Sequence, residues 1–430
     1  MAASKSTSIP AELRRLFPTR WLNAAARESG LVERRRKVDP AAFFWAVVLG
    51  FGTGHRRSIA SLRKFFAGAT GVALVPSSFY DWFNERTVRF LRAALGRAIA
   101  RTAEPAGPLR DHLARFKDVC VADATVIRLR DALERAYKAC RTNHTRAAMK
   151  LHLVMSVVGA GPRSVSITGE RVNERRRLPV GPWVRGRLLL FDLGYFKWHL
   201  FERIKKNGGY FVSRLRDDAN PLIIGENRRW RGASRRLRGH RLGEVKDRLA
   251  REVVDLIVQV DFERRSYLSR KTRERAYFRV VGVRHGGARK HHWYVTNVPI
   301  TILGPAEVAK TYAARWEIEL VFRELKSHLR MAQLASAKRA VVEALVYAAL
   351  IGLAVSRSVW RSLRDRTDAA RRVSERRVTD ALATIAGDLV AALLGEVPDA
   401  ARLRKWHRLL SREALDPNVG RATLKRGWAC

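Results

Sequence analysis

The chain has 430 residues, 47% of them hydrophobic, which is enough apolar material to bury a large core and excludes disorder as the default state. Lysine and arginine number 84 against 40 acidic residues, and the net charge of +44 is spread along the sequence, so the folded body must be cationic and a polyanion is the expected partner. Charge of this kind says nothing about chemistry, since ribosomal and membrane-surface proteins share it.

The three cysteines, Cys120, Cys140 and Cys430, lack CxxC spacing, which argues against a disulfide framework or a structural zinc site and suits a reducing, cytoplasmic interior. The start, MAASKSTSIPAELRRLF, has no apolar h-region and does not read as a secretory signal. The longest apolar runs, 41–51 and 344–355, fall short of the roughly 18 residues needed to span a bilayer, so they are expected to be buried helices and no membrane is expected as a partner.

In chain order, a basic lead-in to about residue 38 carries one or two short helices around 10–28, and Asp39-Pro40 then marks a helix start with an N-cap and a proline in the first turn. Residues 41–101 are helical in pieces: 58–67 form one helix, 68–76 a turn, and Ser77 or Ser78 is expected to cap the next. Arg56, Arg57, Arg63 and Lys64 are candidate phosphate contacts, although a solubilising face explains them nearly as well. The stretch 101–110, with two prolines and a glycine, reads as a linker.

Beyond it the period changes. Three β-branched-rich runs, 118–130, 150–160 and 163–172, suggest a mixed sheet opening an α/β domain. Asp123 sits in the first run among Val119, Val121, Val126 and Ile127, where a carboxylate is costly unless paired or bound to metal. Asp118 precedes the apolar residues and is expected to be exposed. The segment 188–191 reads as a buried strand ending in Asp192. Gly194 breaks the chain before a helix over 196–206, and Gly208-Gly209 returns it to a strand over 210–215. Asp192 therefore lies at the carboxyl end of a strand, where functional groups of open sheets gather.

From 217 to about 300 the pattern becomes basic loops and alternating strands, expected as an all-β insertion. His291 and His292 are neighbours on a strand, face opposite ways, and make a poor metal pair. Residues 310–330, KTYAARWEIELVFRELKSHLR, contain neither proline nor glycine and read as one helix. At about 100° per residue, Tyr312, Arg315, Glu319 and Lys326 fall within a sector of roughly 60°. Glu317 and Glu324 point away, and Leu320, Val321 and Leu325 supply packing positions. One face thus sets a carboxylate between fixed cations, an arrangement suited to a metal beside a phosphate. A solvated amphipathic helix with spaced charges is the competing reading. A long buried helix over 340–363 follows, then basic helices over 370–394 and 400–413 and a frayed tail.

Tyr-x2-Arg-x3-Glu-x6-Lys, matched by Tyr312, Arg315, Glu319 and Lys326, resembles the signature of the insertion-sequence-four family of bacterial DDE transposases. Asp123-x-Thr125 and Asp192-x-Gly194-Tyr195 resemble that family's two aspartate motifs, and Arg214 matches an arginine the family places near the DNA end. The helix-turn-helix pattern near the N-terminus resembles its end-recognition domain. The resemblance implies an RNase H-like α/β core with an all-β insertion between the second aspartate and the glutamate. It divides the chain at 1–105 (helical, DNA ends), 111–216 and 301–365 (catalytic core), 217–300 (insertion) and 366–430 (basic helices). It implies that Asp123, Asp192 and Glu319 hold two Mg2+, with Mn2+ as substitute. It further implies that Tyr312, Arg315, Lys326 and Arg214 contact DNA, and that Trp293 stacks on a flipped base. Its expected partners are the double-stranded DNA of transposon ends and target and a second copy in a paired-end dimer, near the nucleoid. The expected reaction is cleavage at terminal inverted repeats, through a hairpin in relatives, followed by 3′-hydroxyl strand transfer. Two alternatives stay open: a two-metal nuclease that never joins, and a transposase relic acting as a DNA-binding repressor.

Overall fold

The computed structural model describes residues 8–33, 38–54, 56, 58–102, 105, 107–140, 145–227, 237–265, 271–284, 290–328, 334, 336–364 and 373–416. Arg57 and the tail beyond residue 416 lie outside the described residues.

Six helices come first. Ser8 caps α1 (Ile9–Leu16), and α2 (Thr19–Glu28) follows Pro18. The Asp39 carboxylate accepts from the Ala41 and Ala42 amides at 2.6 and 3.2 Å and starts α3 (Pro40–Gly50), satisfying donors that the first helical turn leaves unpaired. A reciprocal Ser58–Ser61 cap opens α4 (Ile59–Thr70), which ends on Gly71 at φ 71°, a left-handed position that glycine adopts without strain. The expected serine cap is displaced: Pro76 opens α5 (Pro76–Tyr80), because a first-turn proline forfeits no helical hydrogen bond, and Ser77 and Ser78 lie inside it. Asn84, accepting from the Arg86 and Thr87 amides, then starts a separate helix, α6 (Glu85–Thr102). Arg63 donates to the Leu74 carbonyl at 2.7 Å and Arg56 lies over the Phe65 ring, so both take part in holding this bundle together.

The sheet begins with β1 (Asp118–Leu129), β2 (Ala147–Ser156) and β3 (Pro162–Gly169), an antiparallel meander. The chain then crosses to β4 (Arg187–Phe191), parallel to β1, and through α7 (Trp198–Lys206) to β5 (Tyr210–Arg214), parallel to β4. The segment expected as an all-β insertion supplies strands that extend this same sheet. It consists of β6 (Leu222–Glu226), a short helix α8 (Leu242–Val245), β7 (Val253–Arg265), β8 (Lys271–Val283) and β9 (His292–Thr296). The sheet has nine strands in the order β3-β2-β1-β4-β5-β9-β8-β7-β6. Residue 217–300 strands continue the ladder because β9 pairs with β5 through Val212–Thr296 and carries β8, β7 and β6 outward.

Strand periodicity separates two cores. Val119 and Val121 of β1 and Leu188 and Leu190 of β4 face the helical core, while Cys120, Ala122, Leu189 and Phe191 face the core beneath α7. The remaining helices are α9 (Pro305–Ala313), α10 (Glu317–Arg323), α11 (Arg339–Arg364), α12 (Glu375–Thr384), α13 (Ala386–Leu394) and α14 (Ala400–Glu413). Helices from both ends of the chain share the first core with one face of the sheet. The outer strands also reach back to the helices: Arg279 of β8 pairs with the buried Asp255 and donates to the Val298 and Leu303 carbonyls just before α9.

α11 is long and apolar enough to cross a membrane by length and composition, longer than the apolar run read from the sequence, but 89% of its most apolar window is buried in the protein. It runs against α3 with almost no gap. A Cβ on Gly352 would stand 2.1 Å from the Gly52 carbonyl oxygen, and one on Gly52 would stand 2.4 Å from the Ala348 oxygen. Gly352→Ala forces two backbones apart in a filled core, so it is expected to destabilise the protein by about 2–3 kcal/mol. Denaturant unfolding of the variant beside wild type checks this; an unchanged midpoint would contradict the close approach.

Candidate active site

β1 and β4 pair in parallel with Ala122 opposite Phe191, and there the pairing stops. One residue further along both strands come Asp123 and Asp192. They hold the same phase as Val121 and Leu190, so strand alternation directs both side chains toward the helical core, on backbones about 4.8 Å apart. Asp123 accepts from the Ala124 amide at 2.7 Å. Its pKa is pushed up to about 6, mainly by burial and further by the negative charges of Glu174 and Asp192, while the Ala124 amide and Arg315 pull the other way.

Over this face lies α10, whose Ile318, Val321, Phe322 and Leu325 neighbourhood is buried in the same core as Val119 and Val121. The expected single helix over 310–330 is broken: α9 ends at Ala313, a tighter 3-10 turn spans Ala314–Trp316, and α10 widens into a π turn over Glu324–His328. Leu320, expected as a packing residue, is 42% exposed. The register is set instead by Glu324, buried in the π turn, which pairs with Arg357 of α11 and accepts from Thr379 of α12 at 3.0 Å.

Arg315 and Glu319 meet as expected from their spacing, with Arg315 Nη2 donating to Glu319 Oε1 at 2.6 Å. Burial disfavours the charge on Arg315, yet the bond to Glu319 and the nearby Tyr312 and Asp192 outweigh it and move its pKa upward. Tyr312 is 8% exposed, its ring centroid 5.2 Å from that of Tyr294, and its hydroxyl has no hydrogen-bond partner among the described residues. Burial raises its pKa, Asp192 adds to the rise and Arg315 and Arg214 oppose it, so the phenol keeps its proton. Arg214 is exposed at the end of β5, opposite Tyr294.

Asp123, Asp192, Tyr312, Arg315 and Arg214 thus act on one another where the middle of β1 meets the ends of β4 and β5, and Glu319 is held beside them through Arg315. Lys326 lies in the π turn and is half-buried, its pKa lowered by burial and by Arg128 near the far end of β1. Trp293 is on the wrong side for the base-stacking role. Its neighbour Tyr294 faces the helical core with Tyr312, so Trp293 packs against the other core, over Gly282 and beside His291. Asp118, expected to be exposed, is fully buried: Ser156 Oγ donates to it at 2.8 Å and Arg163 lies 3.4 Å away, so it is a structural acid under the start of the sheet. Glu174, in a 3-10 turn (Glu174–Arg177) between β3 and β4, pairs with Lys150 of β2 at 3.6 Å.

The donor chemistry fits a divalent cation. The three acids offer only carboxylate oxygens, which suit magnesium or manganese, and a cation would offset the cost of ionising Asp123 among other negative charges. Among the described residues no three His, Cys, Asp or Glu side chains already form a ligand set, and Glu319 is engaged with Arg315.

A strand-borne aspartate pair under a glutamate helix, on an extended mixed sheet, defines a class of nucleic-acid-processing enzyme, and the sequence comparisons agree with that class. The model of the transposase DDE domain family matches residues 114–354, spanning both aspartate strands and the glutamate helix, and the chain belongs to that family, the DDE transposases of bacterial insertion sequences. It is 22% identical over 389 residues to the transposase for insertion sequence element IS231F of Bacillus thuringiensis subsp. israelensis, covering 82% of this chain and 80% of the relative. It is 21% identical over 387 residues to that of IS231B from Bacillus thuringiensis subsp. berliner, with the same coverage. The solved synaptic complex of piggyBac transposase with hairpin DNA aligns at a TM-score of 0.46 and 12% identity, over 97% of this chain and 87% of that one. Divalent metal is the cofactor such enzymes use.

The raised pKa of Asp123 has a sign for stability. Its folded value, about 6, exceeds the ordinary 3.8, so the folded state keeps a proton that the unfolded chain loses, and stability falls as pH rises from about 4 to 6. In metal-free solution Asp123→Asn is expected to stabilise the protein at pH 8 by about 1–3 kcal/mol, with the gain shrinking toward zero near pH 4. Melting curves at the two pH values check this; equal effects at both would contradict the burial of an ionised group.

Proposed function

We propose that this transposase binds the terminal inverted repeats of its element and carries out metal-dependent strand cleavage followed by 3′-hydroxyl strand transfer, on an RNase H-like core. The observation that carries the reading is the pairing that sets Asp123 beside Asp192 beneath the helix bearing Glu319. The order β3-β2-β1-β4-β5, with β2 alone running opposite to β1, β3, β4 and β5, supports the RNase H-like assignment.

Asp123, Asp192 and Glu319 would hold two Mg2+, or Mn2+ in their place. When bound, such ions activate an attacking oxygen and stabilise a leaving one. The chain's own groups do the rest. Arg315, fixed by burial and charged at every working pH, would take a backbone phosphate through its planar donors. Tyr312 would give its unpartnered hydroxyl proton to a phosphate oxygen, and Arg214 would flank the strand. No side chain acts as nucleophile, since water and then a DNA 3′-hydroxyl attack in turn. A phosphate on Arg315 competes with Glu319 for the guanidinium, so DNA would release the third carboxylate only once a strand lies in the cleft. Lys326 belongs to the outer DNA path, near Arg128. Double-stranded DNA at the ends and target, and a second copy of the chain in a paired-end complex, are the proposed partners, in the bacterial cytosol.

Asp123→Asn and Asp192→Asn should each abolish magnesium-dependent cleavage of an inverted-repeat duplex, by at least about 100-fold, while end binding in a gel-shift assay stays near wild type. Retained cleavage in either variant rejects the assignment. Arg315→Ala should bind Mn2+ more tightly than wild type without DNA, read by paramagnetic resonance of free Mn2+, because Glu319 is then released; weaker binding speaks against the competition. Affinity for the ends should fall steeply with salt through counterion release, and a flat salt profile would count against the polyanion interface.

A further inference from the structure

Around the start of α11, three cations are each seated on a tyrosine ring. Lys338 Nζ stands 4.7 Å from the ring centroid of Tyr80 at the end of α5. The Arg339 guanidinium lies 6.0 Å from that of Tyr137, in the loop between β1 and β2, and the Arg92 guanidinium of α6 lies 5.6 Å from that of Tyr347 in α11. A ring attracts a cation without neutralising it, so the charge stays available to an anion from solvent.

The two arginines share one buried acid. Glu343, 3% exposed, accepts from Arg339 Nε on Oε1 at 2.6 Å and from the Tyr137 hydroxyl on the same oxygen. Arg92 Nη2 lies 3.9 Å from Glu343 Oε2, and Arg92 Nε donates to the Tyr347 hydroxyl at 3.0 Å. Both guanidiniums are thus held from within while their side chains stay more than half exposed, 58% for Arg92 and 54% for Arg339. Among the described residues no other acid pairs with either arginine, so one carboxylate faces two guanidiniums and the cluster keeps an unbalanced positive charge. Arg339, fixed at Nε, offers its terminal nitrogens as a planar fork, the geometry in which arginine takes a phosphate. An apolar side chain could join these elements equally well; what the acid adds is a fixed direction for two exposed cations. Since α6 belongs to the N-terminal helices and the loop holding Tyr137 follows the strand that carries Asp123, a phosphate backbone crossing here would tie those helices to the catalytic sheet.

We propose that Arg92 and Arg339, oriented by Glu343 as a positioning residue and flanked by Lys338, form a backbone-phosphate clamp for duplex DNA, separate from the carboxylate site. The inference rests on the reading of DNA as the partner. A phosphate contact carries no sequence information, so the clamp acts on transposon ends and on unrelated duplex alike.

The test is the affinity of the full-length protein for an inverted-repeat duplex and for a shuffled duplex, measured by fluorescence anisotropy across a salt series. Arg92→Ala and Arg339→Ala should each weaken binding about three- to tenfold on both duplexes and lower the slope of log affinity against log salt by about one. Arg339→Ala strands a buried carboxylate, so Arg339→Ala combined with Glu343→Gln is its companion: that double variant keeps the net charge of wild type, and its slope should still fall by about one. Arg402→Ala, which removes the same charge from α14, should leave the slope unchanged. Wild-type slopes in both Arg92→Ala and the double variant overturn the inference, as does an equal loss in Arg402→Ala, which would assign the effect to net charge. A loss confined to the inverted-repeat duplex also overturns it, because that is base readout. If wild type binds neither duplex, the DNA reading falls and the clamp with it; if wild type binds and the variants match it, only the clamp fails.

Discussion

The parallel pairing of β1 with β4 is the constraint on which the rest of this molecule depends. Asp123 and Asp192 are far apart along the chain, and a parallel ladder in register is the element that brings two strand positions to the same height and the same face at once. The ladder ends at Ala122 and Phe191, so the next residue on each strand escapes the apolar packing of its predecessors while staying on their template. Two carboxylates placed there repel each other and lose solvation. The raised pKa of Asp123 is the sign of that cost, a destabilising feature kept where a cation can neutralise it.

The glutamate helix is held by a different kind of interaction. α10 is short and flanked by a 3-10 turn and a π turn, so intrinsic helix geometry does not set which way Glu319 faces. The buried Glu324–Arg357 pair, with Thr379 on the second carboxylate oxygen and the Ala160 carbonyl on Arg357, ties the end of α10 to α11, α12 and the loop after β2. Such a pair adds little net stability against an apolar substitute, but leaving one partner alone is costly, so it acts as a register pin. The strands beyond β5 contribute at a distance in the same way, since Arg279 fixes the chain just before α9.

The positive charge of the chain does two jobs that residue type cannot separate. Some arginines cap carbonyls inside the fold: Arg89 donates to Ser29, Arg97 to Leu16, and Arg361 to Thr102 and Gly159. Arg63, a plausible phosphate contact by position, closes the loop after α4 instead. The excess over 40 acidic residues remains large enough that the surface is cationic, and it is that excess which suits a polyanion.

The amino-acid sequence alone determined the elements whose signals are local. The helix starts at Asp39 and Ser58, the strands carrying Asp123 and Asp192, the α14 boundaries and the i, i+4 meeting of Arg315 with Glu319 are each written within a few residues, because caps, period-2 alternation and helical spacing act over one or two turns. Tertiary structure decided what depends on partners distant along the chain. Burial of Asp118 needs Ser156 and Arg163; the 3-10 break over Ala314–Trp316 and the exposure of Leu320 go with the way α10 is pinned; Trp293 faces away because β9 joins β5 in one register and not the next, a shift of a single residue that reverses every side chain.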